Sequence, residues 1–288
     1  MRTYGLRFDV NCSILFTELP LLQRPAAAKA AGFDAVEFWW PFDSPTPPDA
    51  DVDAFTGAIQ EAGVRLSGLN FAAGDMPGGD RGILSNPAMT AAFRDNVDIA
   101  VGIAERLGTR AFNALYGNRD ENVSAAVQDQ VASANLAFAG AAAQRIGAIV
   151  LIEPVSGAPR YPIKTAADAV GVIDQVRDEH GTTNLRLLAD LYHLSVNGDD
   201  VRAAIGAYRD RIGHVQIADA PGRGEPGTGG LPLDSYLDDL LAAGYRGYIG
   251  LEYKPTRSDT FDWLPRAERG ADSVRAESRL RDTEMRIR

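Results

Sequence analysis

Cysteine is almost missing: Cys12 stands alone among 288 residues. A lone thiol closes no internal disulfide and makes no thiolate metal site, so disulfide scaffolds and zinc fingers are excluded. Cys12 reads as a small buried hydrophobe. Histidine occurs three times (His180, His193, His214) and lysine only as Lys29, Lys164 and Lys254. No apolar run approaches the roughly 20 residues a membrane span needs. Arg7, Asp9 and Asn11 break up the N-terminal stretch where a secretory signal would be continuously apolar. These absences predict a cytoplasmic chain with no membrane partner. Positive charge is also short, with a formal net charge of -10, the wrong sign for gripping phosphates, so nucleic acid is not an expected partner.

What remains is ordinary globular composition, 45% hydrophobic and 24% charged. Short β-branched or apolar runs alternate with longer Ala-rich stretches of helical periodicity. The runs fall at 6–11, 34–39, 64–70, 110–115, 148–154, 185–191, 213–219 and 248–253. Gly32, Gly63, Gly108, Gly147 and Gly244 each separate a helix end from the next strand, where a residue lacking Cβ accepts positive φ. Eight such units without a composition break predict one single-domain α/β fold, a (β/α)₈ TIM barrel over 1–265, with its last helix near 260–268. A charged C-terminal extension, 266–288, follows. The long Pro- and Gly-rich loops after the second and third strands resemble active-site loops.

Gly222–Gly227 spells G-x-G-x-x-G, the dinucleotide fingerprint. It lies late in the chain after the seventh strand, carries Pro226, and is followed by TGGLPL where a helix should begin, so the fingerprint fails its structural requirement. Barrel chemistry collects at the C-terminal ends of the strands. Polar residues close four consecutive strands there: Glu153, Asp190, Gln216 and Glu252. An isolated buried carboxylate needs a cation or a hydrogen-bonded partner. Three carboxylates and an amide oxygen suit a hard divalent ion, Mg²⁺ or Mn²⁺, better than Zn²⁺. Singly, each residue could equally cap a helix or pair with an arginine; the run of four points to a site.

The stretches LIEP at Glu153, DLYH at Asp190, GHVQIAD at Gln216, RGEPGTG at Arg223 and EYKP at Glu252 resemble the hydroxypyruvate isomerase family, which belongs with the xylose-isomerase-like TIM barrels and the ketose 3-epimerases. VEFWWPFD, AAGD, DRGI and FRDNV fit the same pattern, and the resemblance spans roughly 6–265. It implies an aldose-ketose isomerase that interconverts hydroxypyruvate and tartronate semialdehyde through an enediolate. Glu153, Asp190, Gln216 and Glu252 would then hold a divalent cation, Glu153 and Glu252 would move the proton, and the protein would be a homo-oligomer. The epimerase relatives carry His where this chain has Gln216.

A carboxylate-bearing substrate calls for fixed positive charge. Arg223, in a glycine-rich loop expected to close over the mouth, is the candidate; otherwise it is a surface residue pairing with Glu225. His193 is either a donor to a substrate oxygen or a structural histidine, and His214 sits a layer deeper. His180 reads as a helix C-terminal residue. Lys254 is either a carboxylate contact or a solvated lysine, while Glu37 and Asn70 close strands two and three as wall residues, flanked by Trp39 and Trp40. Competing readings are a 2-oxo-tetronate isomerase or ketose 3-epimerase on the same barrel, a metal-dependent abasic-site nuclease, and a non-catalytic carbohydrate- or acid-binding barrel. Three histidines and the acidic charge disfavour the nuclease.

Overall fold

The computed structural model describes residues 4–270. Strands Arg7–Asn11 (β1), Ala35–Phe38 (β2), Arg65–Asn70 (β3), Ala111–Asn113 (β4), Ile149–Ile152 (β5), Leu185–Asp190 (β6), Ile212–Ile217 (β7) and Tyr248–Leu251 (β8) pair in chain order, all parallel, and β8 closes against β1. Each lies inside, or within one residue of, the stretch the sequence predicts. The helices are Arg24–Ala30 (α1), Asp49–Ala62 (α2), Thr90–Leu107 (α3), Ala125–Gln144 (α4), Ala166–His180 (α5), Leu191–Val196 (α6), Val201–Tyr208 (α7) and Leu233–Ala242 (α8). The five joint glycines all take positive φ, between 64° and 102°, so the chain reverses at each helix end without a Cβ penalty. Among the described residues no helix is long and apolar enough to cross a membrane.

The expected helix near 260–268 is absent. Among the described residues beyond β8 there are turns and one 3₁₀ turn, Arg266–Glu268. Pro265 disfavours helical geometry at Leu264, and aromatic docking takes the helix's place. Phe261 packs edge-on to Phe33 at 5.1 Å, and Trp263 contacts both Tyr4 and Phe8. The first residues of the charged stretch touch the barrel: Arg266 Nη2 donates to the Ala30 carbonyl, Arg269 Nη1 to that of Ala31, and Glu268 accepts the Tyr4 amide. Residues 271–288 of the expected extension lie outside the described residues.

Strand register is what assembles the site. Asn11 lies opposite Glu37, Asn70 opposite Asn113, Asp190 opposite Gln216, and Gln216 opposite Gly250. Side chains alternate along a strand, so this register brings polar groups to one level at the C-terminal ends while Leu188 and His214 pair one repeat below. Gly250 makes the layer possible. A Cβ there would come within 2.7 Å of Glu37 Oε1 and 2.9 Å of Gln216 Cγ.

Gly250→Ala is therefore expected to destabilise the barrel by about 1–3 kcal/mol, the range for overpacking, in denaturant unfolding. Gly206→Ala is the control: it lies in α7 with no atom within 4 Å of an added Cβ, and it should stabilise by up to about 1 kcal/mol.

Candidate active site

The C-terminal mouth opens into a cavity of about 610 Å³. Trp39, Asn70, Glu153, His193, Arg223, Glu252 and Lys254, all named from the sequence, line it together with Ser13, Arg81 and Ser156. Trp40 is not on this wall; its indole donates to the Ser44 carbonyl and its ring packs on Phe42. His180 ends α5 beside Ser133, at 3.1 Å.

Glu153 follows β5, and its Oε2 accepts the Asn113 amide at 2.6 Å. Asp190 ends β6 and caps α6, with Oδ1 accepting the Tyr192 and His193 backbone N–H groups at 2.8 and 3.1 Å. The cap fixes its rotamer and leaves Oδ2 buried without a hydrogen-bond partner among the described residues. Glu252 follows β8, with Oε1 receiving Trp39 Nε1 at 3.2 Å and Arg223 Nη2 at 2.6 Å. Arg223 Nη2 also lies 3.7 Å from Asp190 Oδ2. One guanidinium therefore serves a group of three buried carboxylates.

That imbalance shows in their protonation. Burial, then the charges of Glu252 and Asp190, push Glu153 well above the usual carboxylate range. Glu252 is raised to about 8, chiefly by burial; Arg223 pulls it down while Asp190 and Glu37 oppose that. With no further cation, both groups keep their protons to higher pH than an exposed carboxylate does.

His193 is fixed as a donor. The backbone N–H of Ser156 can only donate, and it reaches His193 Nδ1 at 3.1 Å, with Ser156 Oγ at 2.7 Å from the same nitrogen. Nδ1 is thus the acceptor and the ring proton sits on Nε2. Nε2 lies 3.6 Å from Asp190 Oδ2 and 3.9 Å from Glu153 Oε1. Burial holds the ring's pKa down to about 4, so it stays neutral at ordinary pH. Glu153, Asp190 and His193 are close enough to share an ion, but the Nε2–H tautomer makes His193 a hydrogen-bond donor.

Gln216 and Glu37 lie below the cavity wall. Gln216 Nε2 donates to Glu37 Oε1 at 2.7 Å, which fixes the amide orientation and leaves Oε1 buried without a partner among the described residues. Glu37 also accepts the Asn11 amide at 3.1 Å and meets His214 Nε2 at 2.6 Å. Burial is the largest single influence on His214 and lowers its pKa, but Glu37, Asp9 and Glu252 together outweigh it, so that the imidazole reaches about 9 and is the charged partner of Glu37. Glu37, expected on the wall, instead forms the pedestal that orients Gln216. The two unpartnered acceptors, Asp190 Oδ2 and Gln216 Oε1, together with two carboxyls raised first by burial and then by like charge, are a donor set that suits a hard divalent cation.

The glycine-rich loop is tied down. Asp219 accepts the backbone N–H groups of Ala220, Gly227, Gly229 and Leu231. Glu225 is fully buried and accepts Thr256 N and Oγ1 at 3.0 Å each, so it is not the partner of Arg223. Arg223 itself takes φ 59°, uncommon for a non-glycine residue, and its carbonyl accepts the Lys254 N–H at 2.7 Å. This strap drives Arg223 inward onto Glu252. Sequence reasoning passed over Asn113, Ser156 and Arg81. Asn113 was detectable, since it closes β4 as Glu153 closes β5; Ser156 and Arg81 sit on loops whose course no periodicity reveals.

Removing one of the crowded charges should stabilise the metal-free protein. A carboxylate whose folded pKa exceeds its unfolded 4.5 costs stability as pH rises from that value upward. In chelator at pH 8, Glu153→Gln is expected to melt a few degrees above the unsubstituted protein. An equal or lower melting temperature would mean that Glu153 is not under like-charge stress.

Comparison with known proteins agrees with this geometry. Residues 25–277 match the xylose isomerase-like TIM barrel family. A Streptomyces coelicolor relative carrying the provisional name hydroxypyruvate isomerase is 55% identical over 92% of this chain and 98% of its own. The Escherichia coli hydroxypyruvate isomerase is 32% identical over 87% of this chain and 94% of its own. A Brucella melitensis structure described as an AP endonuclease, family 2, superposes with TM-score 0.81 at 31% identity, covering 90% and 98% of the two chains. By the matching profile and the extent of these similarities, the chain belongs to the xylose isomerase-like TIM barrel family, where it groups with the hydroxypyruvate isomerases.

Proposed function

We propose that this protein is a cytoplasmic, divalent-metal-dependent isomerase that interconverts hydroxypyruvate and tartronate semialdehyde. The observation that carries the reading is the mouth itself: buried Glu153 and Asp190 with the Nε2–H of neutral His193 beside both, Glu252 joined to Asp190 through Arg223, and the unpartnered amide oxygen of Gln216 beneath. The similarity to hydroxypyruvate isomerases supplies the substrate class.

The reaction moves hydrogen between neighbouring carbons, so a C–H proton beside a carbonyl must be removed and another placed on the adjacent carbon. Glu153 and Glu252 are the proton-transferring pair. His193 Nε2–H donates to a substrate oxygen and favours its developing negative charge without itself becoming charged. Asn113 and Trp39 orient the two glutamates through the oxygens they bond. Arg223 beside Glu252 favours that carboxylate's ionised form. Glu153, Asp190, Gln216 and Glu252 would hold Mg²⁺ or Mn²⁺, which supplies fixed positive charge against the enediolate and lets the surrounding carboxylates ionise together.

A cavity of about 610 Å³ exceeds what a three-carbon acid fills, and this favours one second reading, isomerisation of the longer 2-oxo-tetronate. The nuclease description of the Brucella protein is not carried over. Of the three histidines only His193 lines the cavity, and the net charge of -10 opposes binding to a polyanion.

A panel of hydroxypyruvate, 2-oxo-tetronate and free ketoses, run in chelator and with added Mn²⁺, tests the assignment. Turnover of hydroxypyruvate that chelator abolishes and Mn²⁺ restores is the expected result; metal-independent turnover, or none, contradicts it. Glu153→Gln and Glu252→Gln should each lower kcat by about 10²–10⁴-fold with circular dichroism unchanged. Turnover at the level of the unsubstituted protein in either variant removes that residue from the proton-transfer pair.

A further inference from the structure

Arg223, the cation the sequence offers for the substrate carboxylate, is already committed. Its Nη2 lies 2.6 Å from Glu252 and 3.7 Å from Asp190, so its charge is spent on the reacting cluster. Two other cationic side chains line the cavity, Arg81 and Lys254. Lys254 is exposed, so its long side chain must be ordered before it can hold anything. Arg81 is half-buried and already ordered.

The ordering comes from the loop that follows β3. Gly82 N donates to the Ala73 carbonyl at 2.9 Å, and Gly117 N to the Arg81 carbonyl at 3.0 Å. A Cβ on Gly82 would collide with the Leu115 carbonyl, so the backbone beside Arg81 is packed against the segment after β4. The guanidinium is anchored by one nitrogen only. Nη1 donates to the carbonyls of Met76 and Asp80 at 3.1 and 2.5 Å. Among the described residues, Nε and Nη2 have no hydrogen-bond partner and no carboxylate lies within ion-pair distance. A guanidinium fixed at one corner, with its remaining fork free beside a cavity, matches a planar carboxylate in two-point contact. Its charge is also felt at His193, the donor to the substrate oxygen, and in a 2-keto acid the carboxylate is bonded directly to the carbonyl carbon.

We propose that Arg81 is the specificity-determining residue of this site: it binds the carboxylate of the 2-keto acid and separates acids from neutral ketoses of the same length. This rests on the isomerase reading above for the reaction, but not for the binding. Holding the carboxylate equally in the ground and transition states, Arg81 acts on KM more than on kcat.

The test uses the full-length protein with Mn²⁺ and the variants Arg81→Met, Arg81→Lys and Lys254→Met. D-glycerate is the probe, an acid of hydroxypyruvate's length that lacks the keto group, and dihydroxyacetone is the neutral ketose. Arg81→Met should raise KM for hydroxypyruvate and Kd for D-glycerate about 10–100-fold, the range for a charge-assisted hydrogen bond. It should leave kcat and any turnover of dihydroxyacetone within about 3-fold, with the circular dichroism spectrum unchanged. Arg81→Lys should recover part of the loss, because it restores charge without the fork. Unchanged KM and Kd in Arg81→Met overturn the proposal, as does an equal loss in Lys254→Met. If the unsubstituted protein turns over no acid yet binds D-glycerate through Arg81, the isomerase reading fails and the carboxylate site stands. If it turns over hydroxypyruvate and Arg81→Met does so with the same KM, only the inference about Arg81 fails.

Discussion

Mutual repulsion among Glu153, Asp190 and Glu252 is the constraint around which this mouth is built. All three are buried, and the only side-chain cation in contact with them among the described residues is Arg223, since His193 is held neutral. Left so, the cluster answers by keeping protons: burial first, and like charge with it, raises both Glu153 and Glu252. The proposed proton transfer needs one of those groups as a carboxylate. The same crowding that hinders ionisation without an ion would become an affinity for one, and this links the proposed metal to the proposed acid-base chemistry.

Everything around the cluster limits its freedom to relax. Asp190 is immobilised by capping α6, Glu153 by Asn113, and Glu252 by Trp39 and Arg223. Beneath them the Glu37–His214 ion pair sets the Gln216 amide, so its oxygen is left without a donor among the described residues. Over them the strap from Asp219 to Leu231 is pinned by four backbone N–H bonds to one carboxylate, which makes Arg223 a fixed group rather than a swinging one. Preorganisation of this kind spares the site the cost of ordering its own groups during reaction.

The sequence carried the barrel because its signals are local: an apolar run, a helix, a glycine at the joint, eight times over. It carried Glu153, Asp190, Gln216 and Glu252 because a polar residue closing an apolar strand is visible without coordinates. Depth is not visible. Glu37 obeys the same rule as Glu153, yet Gly250 opens room for its side chain to turn inward and meet His214, so it serves Gln216 instead of lining the cavity. Arg223 was found but its partner was not, because whether a loop arginine reaches Glu225, the substrate or Glu252 depends on how the strap folds. The missing helix after β8 has the same origin: local periodicity suggested it, and the docking of Phe261 and Trp263 onto Phe33, Phe8 and Tyr4 prevailed.

Anomalous diffraction at the manganese edge, from crystals grown with Mn²⁺, addresses the central claim most directly. One strong peak bounded by the side-chain oxygens of Glu153, Asp190, Gln216 and Glu252 is the expected result. A peak among Asp9, Glu37 and His214 instead, or a data set with no peak while Arg223 remains seated on Glu252, would contradict it.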